Sequence, residues 1–316
     1  MKVLNRFLII LFNICLLAVT LAAPALSMMA SHTYYHEQFE KTGIYAQVDE
    51  DGNETRTVIR FIGGEKGQNA TFSDEQLDVI ADHIITYLFS DMESFQLVMD
   101  DVMLNGVETD GVAIFGPIAV THMEDVRNLV RFCKTAAIIA GVMMVAIGVY
   151  LVWKLKKTGR MILKTSLIFF AVVIGLIVLF CGWAAVATMI SGGFTLDGFL
   201  STLWTNVHYL LFPFQGDKFA NSFMNDPLTE ILTLDLFMTA VYRIVIVLAA
   251  VIVLWLILGA VANAKAKQWQ RMQQRKLQAL QAQKRAQAQA KMQGKKVQAS
   301  KTAQRRRAVA ARRKRK

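Results

Sequence analysis

Five histidines carry most of the chemistry this sequence could perform: His32, His36, His83, His122 and His208. Imidazole is the side chain whose ordinary pKa, about 6.5, lets it take and give a proton near neutrality. His122 stands in Thr121-His122-Met123-Glu124, a Thr-x-x-Glu capping pattern that predicts a helix start at Thr121. The first turn of a helix offers free N–H groups and a positive dipole end, favouring a neutral imidazole and nearby anionic oxygens. Asp125 follows three residues on, on a similar face, and Arg127 and Arg131 add positive charge. His208 lies in Leu203–Phe214, a stretch too apolar for a solvated loop and too broken by Pro213 and Gly216 for a span. A re-entrant or surface-lying segment fits it, and a histidine there is costly without a partner. His122 and His208 are therefore candidates for one general acid/base pair facing a lipid substrate.

The other candidates carry less. His83 falls on the polar side of a predicted helix and is expected at the surface. His32 and His36, four apart, could share a metal, but no third ligand declares itself and no metal is expected. Cys15, Cys133 and Cys181 fall in or beside apolar runs, which excludes a disulfide scaffold and a zinc finger. No serine elbow, P-loop, HExxH or dinucleotide fingerprint occurs in the segments read as external. An enzyme built from this chain would work without a serine nucleophile or a sequence-evident metal.

The elements that position these residues are membrane spans. The chain has 316 residues, 54% hydrophobic and 19% charged, with mean hydropathy +0.37; an ordinary soluble domain carries about 25% charged residues. Four stretches approach the roughly 20 apolar residues that a bilayer requires: Phe7–Ser27, Thr135–Trp153, Thr165–Ile190 and Leu236–Ala262. Arg243 interrupts the fourth near one end, where it is free to snorkel. Lys2 and Arg6, the bases from Lys154 to Lys164, and the C-terminal bases all fall on one side of a four-span chain. That side is cytoplasmic by the positive-inside rule, with both termini inside. All 24 acids then lie outside, as do the five histidines. The first span also resembles a signal peptide, with Lys2 and Arg6 before an apolar run and small residues through Ala30.

The fold class predicted is an all-α membrane bundle of four transmembrane helices, with a small extracytoplasmic α+β domain between spans one and two. The expected order is span one over 1–28, the cap over 29–120, the motif helix and span two over 121–157, and a cytoplasmic link with span three over 158–190. A re-entrant or interfacial segment over 191–235, span four over 236–263 and a basic tail over 264–316 complete it. Within the cap, Ser73-Asp74-Glu75-Gln76 is a capping box, with Leu77, Ile80, Ala81, Ile84 and Leu88 on one helical face. Thr57–Ile62 reads as a strand, and Phe95–Leu104 and Val112–Phe115 as short strands with turns. From Ala264 on there are 19 Lys/Arg and no acid, so residues 1–263 carry −8 within a total of +11. That tail suits anionic lipid headgroups first and RNA or the ribosome second; DNA is not an expected partner.

The residues His122-Met123-Glu124-Asp125-Val126-Arg127-Asn128-Leu129 resemble the H-M-x-D-V-(K/R)-x-L motif of the bacterial lipoprotein intramolecular transacylases (Lit). His208-Tyr209-Leu210-Leu211-Phe212-Pro213, with Gly216-Asp217, resembles that family's looser second motif, and the likeness runs from about Lys2 to Asn263. The resemblance implies an enzyme of the cytoplasmic membrane. It would move the sn-2 acyl chain of a diacylglyceryl-modified lipoprotein onto the α-amine of that lipoprotein's own N-terminal cysteine. It implies no cofactor, His122 and His208 as the catalytic pair, and Asp125 and Arg127 in orienting roles. Its partners would be diacylglyceryl-modified lipoproteins and membrane lipids. The competing reading is a non-catalytic assembly or insertion factor whose basic tail binds anionic lipid or RNA.

Overall fold

The computed structural model describes residues 2–48, 51–212 and 226–313. Four long apolar helices dominate it: α1 (Lys2–Met29), α4 (Pro117–Trp153), α5 (Leu155–Gly192) and the start of α8 (Leu234–Arg313). Each is long and apolar enough to cross a membrane, so the chain is an integral membrane protein by its helices.

Between α1 and α4 lies a small α/β layer. It comprises α2 (His32–Thr42), the strands β1 (Gln47–Val48), β2 (Glu54–Thr55), β3 (Val58–Arg60) and β4 (Asn69–Thr71), and α3 (Asp74–Phe89). The strands β5 (Val98–Met99), β6 (Val102–Leu104), β7 (Val107–Thr109) and β8 (Val112–Ala113) follow. The largest sheet is antiparallel in the order β3-β4-β6-β7, and β1-β2 and β5-β8 form separate ribbons. The capping box at Ser73 forms: Ser73 Oγ accepts from the Gln76 N–H at 3.2 Å, and Gln76 Oε1 accepts from the Ser73 N–H at 2.9 Å. The predicted apolar face of α3 is buried, and Ile85 and Tyr87 join it. These side chains pack with Phe39, Ile59, Phe95 and Phe115 into the core of the layer.

Three details correct the sequence reading. First, α4 begins at Pro117, not at Thr121. Proline suits the first helical position, so the chain enters the helix one turn early. Thr121 is inside it, its hydroxyl donating to the Pro117 carbonyl at 3.0 Å, and no Thr121–Glu124 cap forms. Second, α5 starts at Leu155, so the bases expected in a link between spans two and three ride on a helix. Gly159 there lies so close to α8 that a β-carbon would sit 2.4 Å from the Ala262 carbonyl oxygen. Third, Arg243 does not snorkel freely. Its Nη2 donates to Glu37 Oε2 at 3.0 Å and its guanidinium lies 5.3 Å from the centre of the Tyr34 ring. Arg243 holds the Glu37 carboxyl below its ordinary value.

Polar side chains tie the apolar helices together. Asn13 Oδ1 on α1 accepts from Trp255 Nε1 of α8 at 3.0 Å and from Ser166 Oγ of α5 at 3.2 Å. Tyr150 on α4 donates to Asn5 Oδ1 at 3.0 Å. In hydrocarbon such bonds are worth on average about 0.6 kcal/mol each, so they specify which helices meet more than they hold them together.

Candidate active site

His122 lies in the early part of α4, where it lines a cavity. Five residues after Pro117, it is 5% exposed. His208 comes from α6 (Leu196–Leu211), whose N-terminus is capped by Thr195 Oγ1 accepting from the Gly198 N–H at 3.1 Å. At 16 residues, α6 spans about 24 Å, and His208 occupies its last turn. The helix stops at Leu211, as expected where Phe212 precedes a proline. The rest of the predicted second motif, Pro213 with Gly216-Asp217, lies outside the described residues.

The two imidazoles meet. Their ring centroids are 6.1 Å apart with planes 27° from parallel. Phe212 stands edge-on to His122 at 5.1 Å and tilted against His208 at 5.7 Å. Trp204, one turn back on α6, packs edge-on to His208 at 4.3 Å and against Phe237 at 4.6 Å. Burial lowers the pKa of His208, a shift that a backbone interaction with Trp204 partly offsets. That keeps the imidazole neutral near pH 7, the form that accepts a proton.

Both rings line a cavity of about 780 Å³ whose other walls are mostly apolar, among them Met28, Leu88, Leu129 and Val241. Ser201, Thr205 and Tyr34 also line it. Tyr34 donates to the Leu236 carbonyl at 2.6 Å, pinning α2 to the start of α8. A space this large and apolar suits acyl chains, with two titratable groups in its wall.

Asp125 and Arg127 do not line this cavity. Arg127 Nη1 donates to the Met92 carbonyl, and its guanidinium lies 4.2 Å from the centre of the Tyr87 ring. It fastens α4 to the chain after α3. His83 is partly buried rather than exposed, its Nε2 2.8 Å from the Phe95 carbonyl oxygen. His32 pairs with Asp82, and His36 stands edge-on to Tyr45. Among the described residues, no group of three His, Cys, Asp or Glu could hold a metal ion.

Four residues near the site escaped the sequence reading, because their partners lie far off in the chain. Asp226 is 2% exposed and caps α7 (Pro227–Ile231), its Oδ1 accepting from the Leu228 N–H at 2.9 Å. Its Oδ2 accepts from the Gly116 N–H, just before α4, at 3.1 Å. One carboxylate therefore sets α7 against the helix that carries His122. Gly116 is obligatory there, because a β-carbon would fall 2.7 Å from Gly64 Cα and 2.9 Å from Asp226 Oδ2. Arg60 of β3 and Glu230 of α7 pair across 170 residues and line the cavity. Acid-to-base separations of this length leave no pattern a sequence can show.

Four membrane-length helices define an integral membrane protein, and two facing imidazoles line its largely apolar cavity. The profile of the lipoprotein intramolecular transacylase Lit family matches residues 7–237, and the chain belongs to that family. The fold is similar to that of the membrane integral lipoprotein intramolecular transacylase Lit from Bacillus cereus, solved in meso. That similarity has a TM-score of 0.51 at 14% identity over 86% of this chain and all of that one. No curated protein matches this sequence.

Proposed function

We propose that this protein is an intramolecular acyltransferase of the cell membrane, acting on lipoproteins whose N-terminal cysteine carries a diacylglyceryl group. The observation that carries this reading is the pairing of His122 and His208 in the wall of a large apolar cavity. The cysteine α-amine attacks the carbonyl carbon of the sn-2 ester, forming a C–N bond. His208, kept neutral by burial, takes the proton that the amine loses. The N–H of His122 steadies the tetrahedral oxyanion. As the ester C–O bond breaks, the proton on His208 passes to the leaving glyceryl oxygen. The products are an amide and a free sn-2 hydroxyl, and both imidazoles end neutral. Because nucleophile and ester belong to one substrate, orientation in the cavity supplies much of the acceleration. Exchange of an ester for an amide is downhill and needs no ATP.

The test is conversion of a synthetic diacylglyceryl lipopeptide by the purified protein in bilayers. Reactant and product are isomers, so intact mass does not change. Fragment ions carrying the acyl group on the cysteine nitrogen, with loss of the free amine, are the expected result. Intact free amine after prolonged incubation across several lipopeptides favours the non-catalytic assembly factor.

The pH dependence follows from the same assignment. An α-amine has a pKa of about 8, so the rate should fall tenfold per unit on acidification below that point. His208 protonates only below the ordinary imidazole value of about 6.5 because burial lowers it. A plot of log rate against pH should therefore have slope one down to about 6.5, steepening to two only well below it. Slope two setting in above 6.5 would remove His208 from the role of base.

The basic tail is proposed to take no part in this chemistry, because the described residues that line the cavity, from Ala25 to Ile244, already supply both imidazoles and the apolar walls. Truncation after Asn263 should leave acyl transfer within about twofold while weakening binding to anionic vesicles or RNA. Abolished transfer by a well-inserted truncated protein would contradict that separation.

A further inference from the structure

The cavity wall holds a charged pair that the proton chemistry does not use. Among the described residues lining the cavity, Arg60 and Glu230 are the only charged ones. Arg60 Nε donates to Glu230 Oε1 at 2.7 Å, and Nη2 lies 2.6 Å from the same oxygen. The backbone N–H of Arg60 donates to Glu230 Oε2 at 2.6 Å. The Glu230 side chain is 17% exposed and that of Arg60 64%. Both carboxylate oxygens are thus occupied and held inward. The guanidinium has five N–H donors, of which these contacts use two, and most of the group faces open space.

The charge of the pair decides what those remaining donors can take. Arg60 and Glu230 together are neutral. A phosphate or carboxylate approaching Arg60 would also meet the Glu230 charge just behind it, whereas a neutral carbonyl oxygen accepts the same bonds without that repulsion. The position is rigid as well. Glu230 rides on α7, which Asp226 locks to Gly116 at the foot of the His122 helix. The fork is therefore presented at a fixed place relative to the imidazole pair.

We propose that Arg60 binds backbone carbonyl oxygens of the peptide that follows the acylated cysteine, and that Glu230 is the positioning residue that aims its guanidinium. This rests on the acyl-transfer reading above. In that substrate the acyl chains match the apolar walls, the amine and ester match the imidazoles, and the peptide is the part rich in neutral acceptors. Arg60 gives the site a grip on peptide backbone that is indifferent to side-chain identity, as a site serving many lipoproteins requires.

Two probes test this: a diacylglyceryl-cysteine amide with no further residues, and the same lipid on a pentapeptide. Wild-type protein should prefer the pentapeptide by roughly tenfold or more in kcat/KM, expressed in KM rather than kcat. Arg60→Met keeps the backbone bond to Glu230 and should lose that preference, its loss on the pentapeptide far exceeding any loss on the short probe. Arg60→Lys, which keeps the charge without the fork, should restore only part of it. Glu230→Gln, with the guanidinium no longer clamped, should weaken the preference to an intermediate value. An undiminished preference in Arg60→Met, or equal losses on both probes, would overturn the proposal. Equilibrium titration of both probes gives the same comparison without turnover. If wild type converts neither probe, acyl transfer falls, and the binding difference alone decides the role of Arg60.

Discussion

Alanine at His122 or at His208 should each remove at least about a hundredfold of acyl-transfer activity, and the double replacement should cost little more. A positioned acid/base group contributes typically 10²–10⁴-fold, and groups that act as one unit are strongly non-additive. The rings stand 6.1 Å apart, close enough to serve one tetrahedral centre. Because His122 is buried, His122→Ala also opens a hole in the wall. His122→Asn controls for that, since it retains a polar side chain but cannot exchange a proton near neutrality. His36→Ala is the matched control: the residue is exposed and does not line the cavity, so its loss should be nearly silent. His83→Ala is a poorer control, because the Phe95 carbonyl would lose its partner. Near-normal activity in either single variant, at matched protein levels, would remove the paired-imidazole mechanism.

Asp226 should matter almost as much, through stability. Replacing it with alanine leaves two buried N–H groups, those of Leu228 and Gly116, without an acceptor. Each costs about 1–3 kcal/mol, so a loss of roughly 2–6 kcal/mol is expected, read as a fall in unfolding temperature in detergent. Activity should fall with it, since α7 and α4 lose their common register. The carboxyl also carries a pH signature. Burial raises it to about 6 from its ordinary 3.8, so the folded protein holds that proton more tightly than the unfolded chain. This favours folding at low pH and is lost as pH rises through about 6, a decline of roughly 3 kcal/mol at most. The unfolding temperature of wild type minus that of Asp226→Asn should therefore fall between about pH 4 and 6 and stay level above. A difference that rises over this window would mean that the folded site favours the carboxylate.

What was legible in the sequence was what depends on neighbours in the chain. The α3 capping box works within four residues, and its buried face follows from helical spacing alone. The four long helices declare themselves by apolar length. His208 stood out because an imidazole is costly in so apolar a stretch, and His122 because a capping pattern set it on a predicted helix start. Where local patterns competed, reading failed: Thr121-x-x-Glu124 is a sound cap pattern, but Pro117 begins the helix before it can act. Asp125 and Arg127 follow the motif histidine in sequence, yet the turn of α4 carries Arg127 to Tyr87 and Met92 instead of the cavity. Contacts across the fold were invisible. Glu37 with Arg243, Asp226 with Gly116 and Arg60 with Glu230 are 206, 110 and 170 residues apart, and none of these residues lies in a motif.

The central claim is that one substrate molecule supplies both the acyl chain and the amine that receives it. A crossover experiment addresses this directly. Two diacylglyceryl lipopeptides of different peptide sequence are mixed, one with a deuterated sn-2 chain and one without, and incubated with the protein in bilayers. The predicted products are two N-acylated lyso-lipopeptides, each carrying its own original chain on nitrogen, with no exchange of label. Scrambling of the label between the two peptides would show transfer between molecules and would contradict the account.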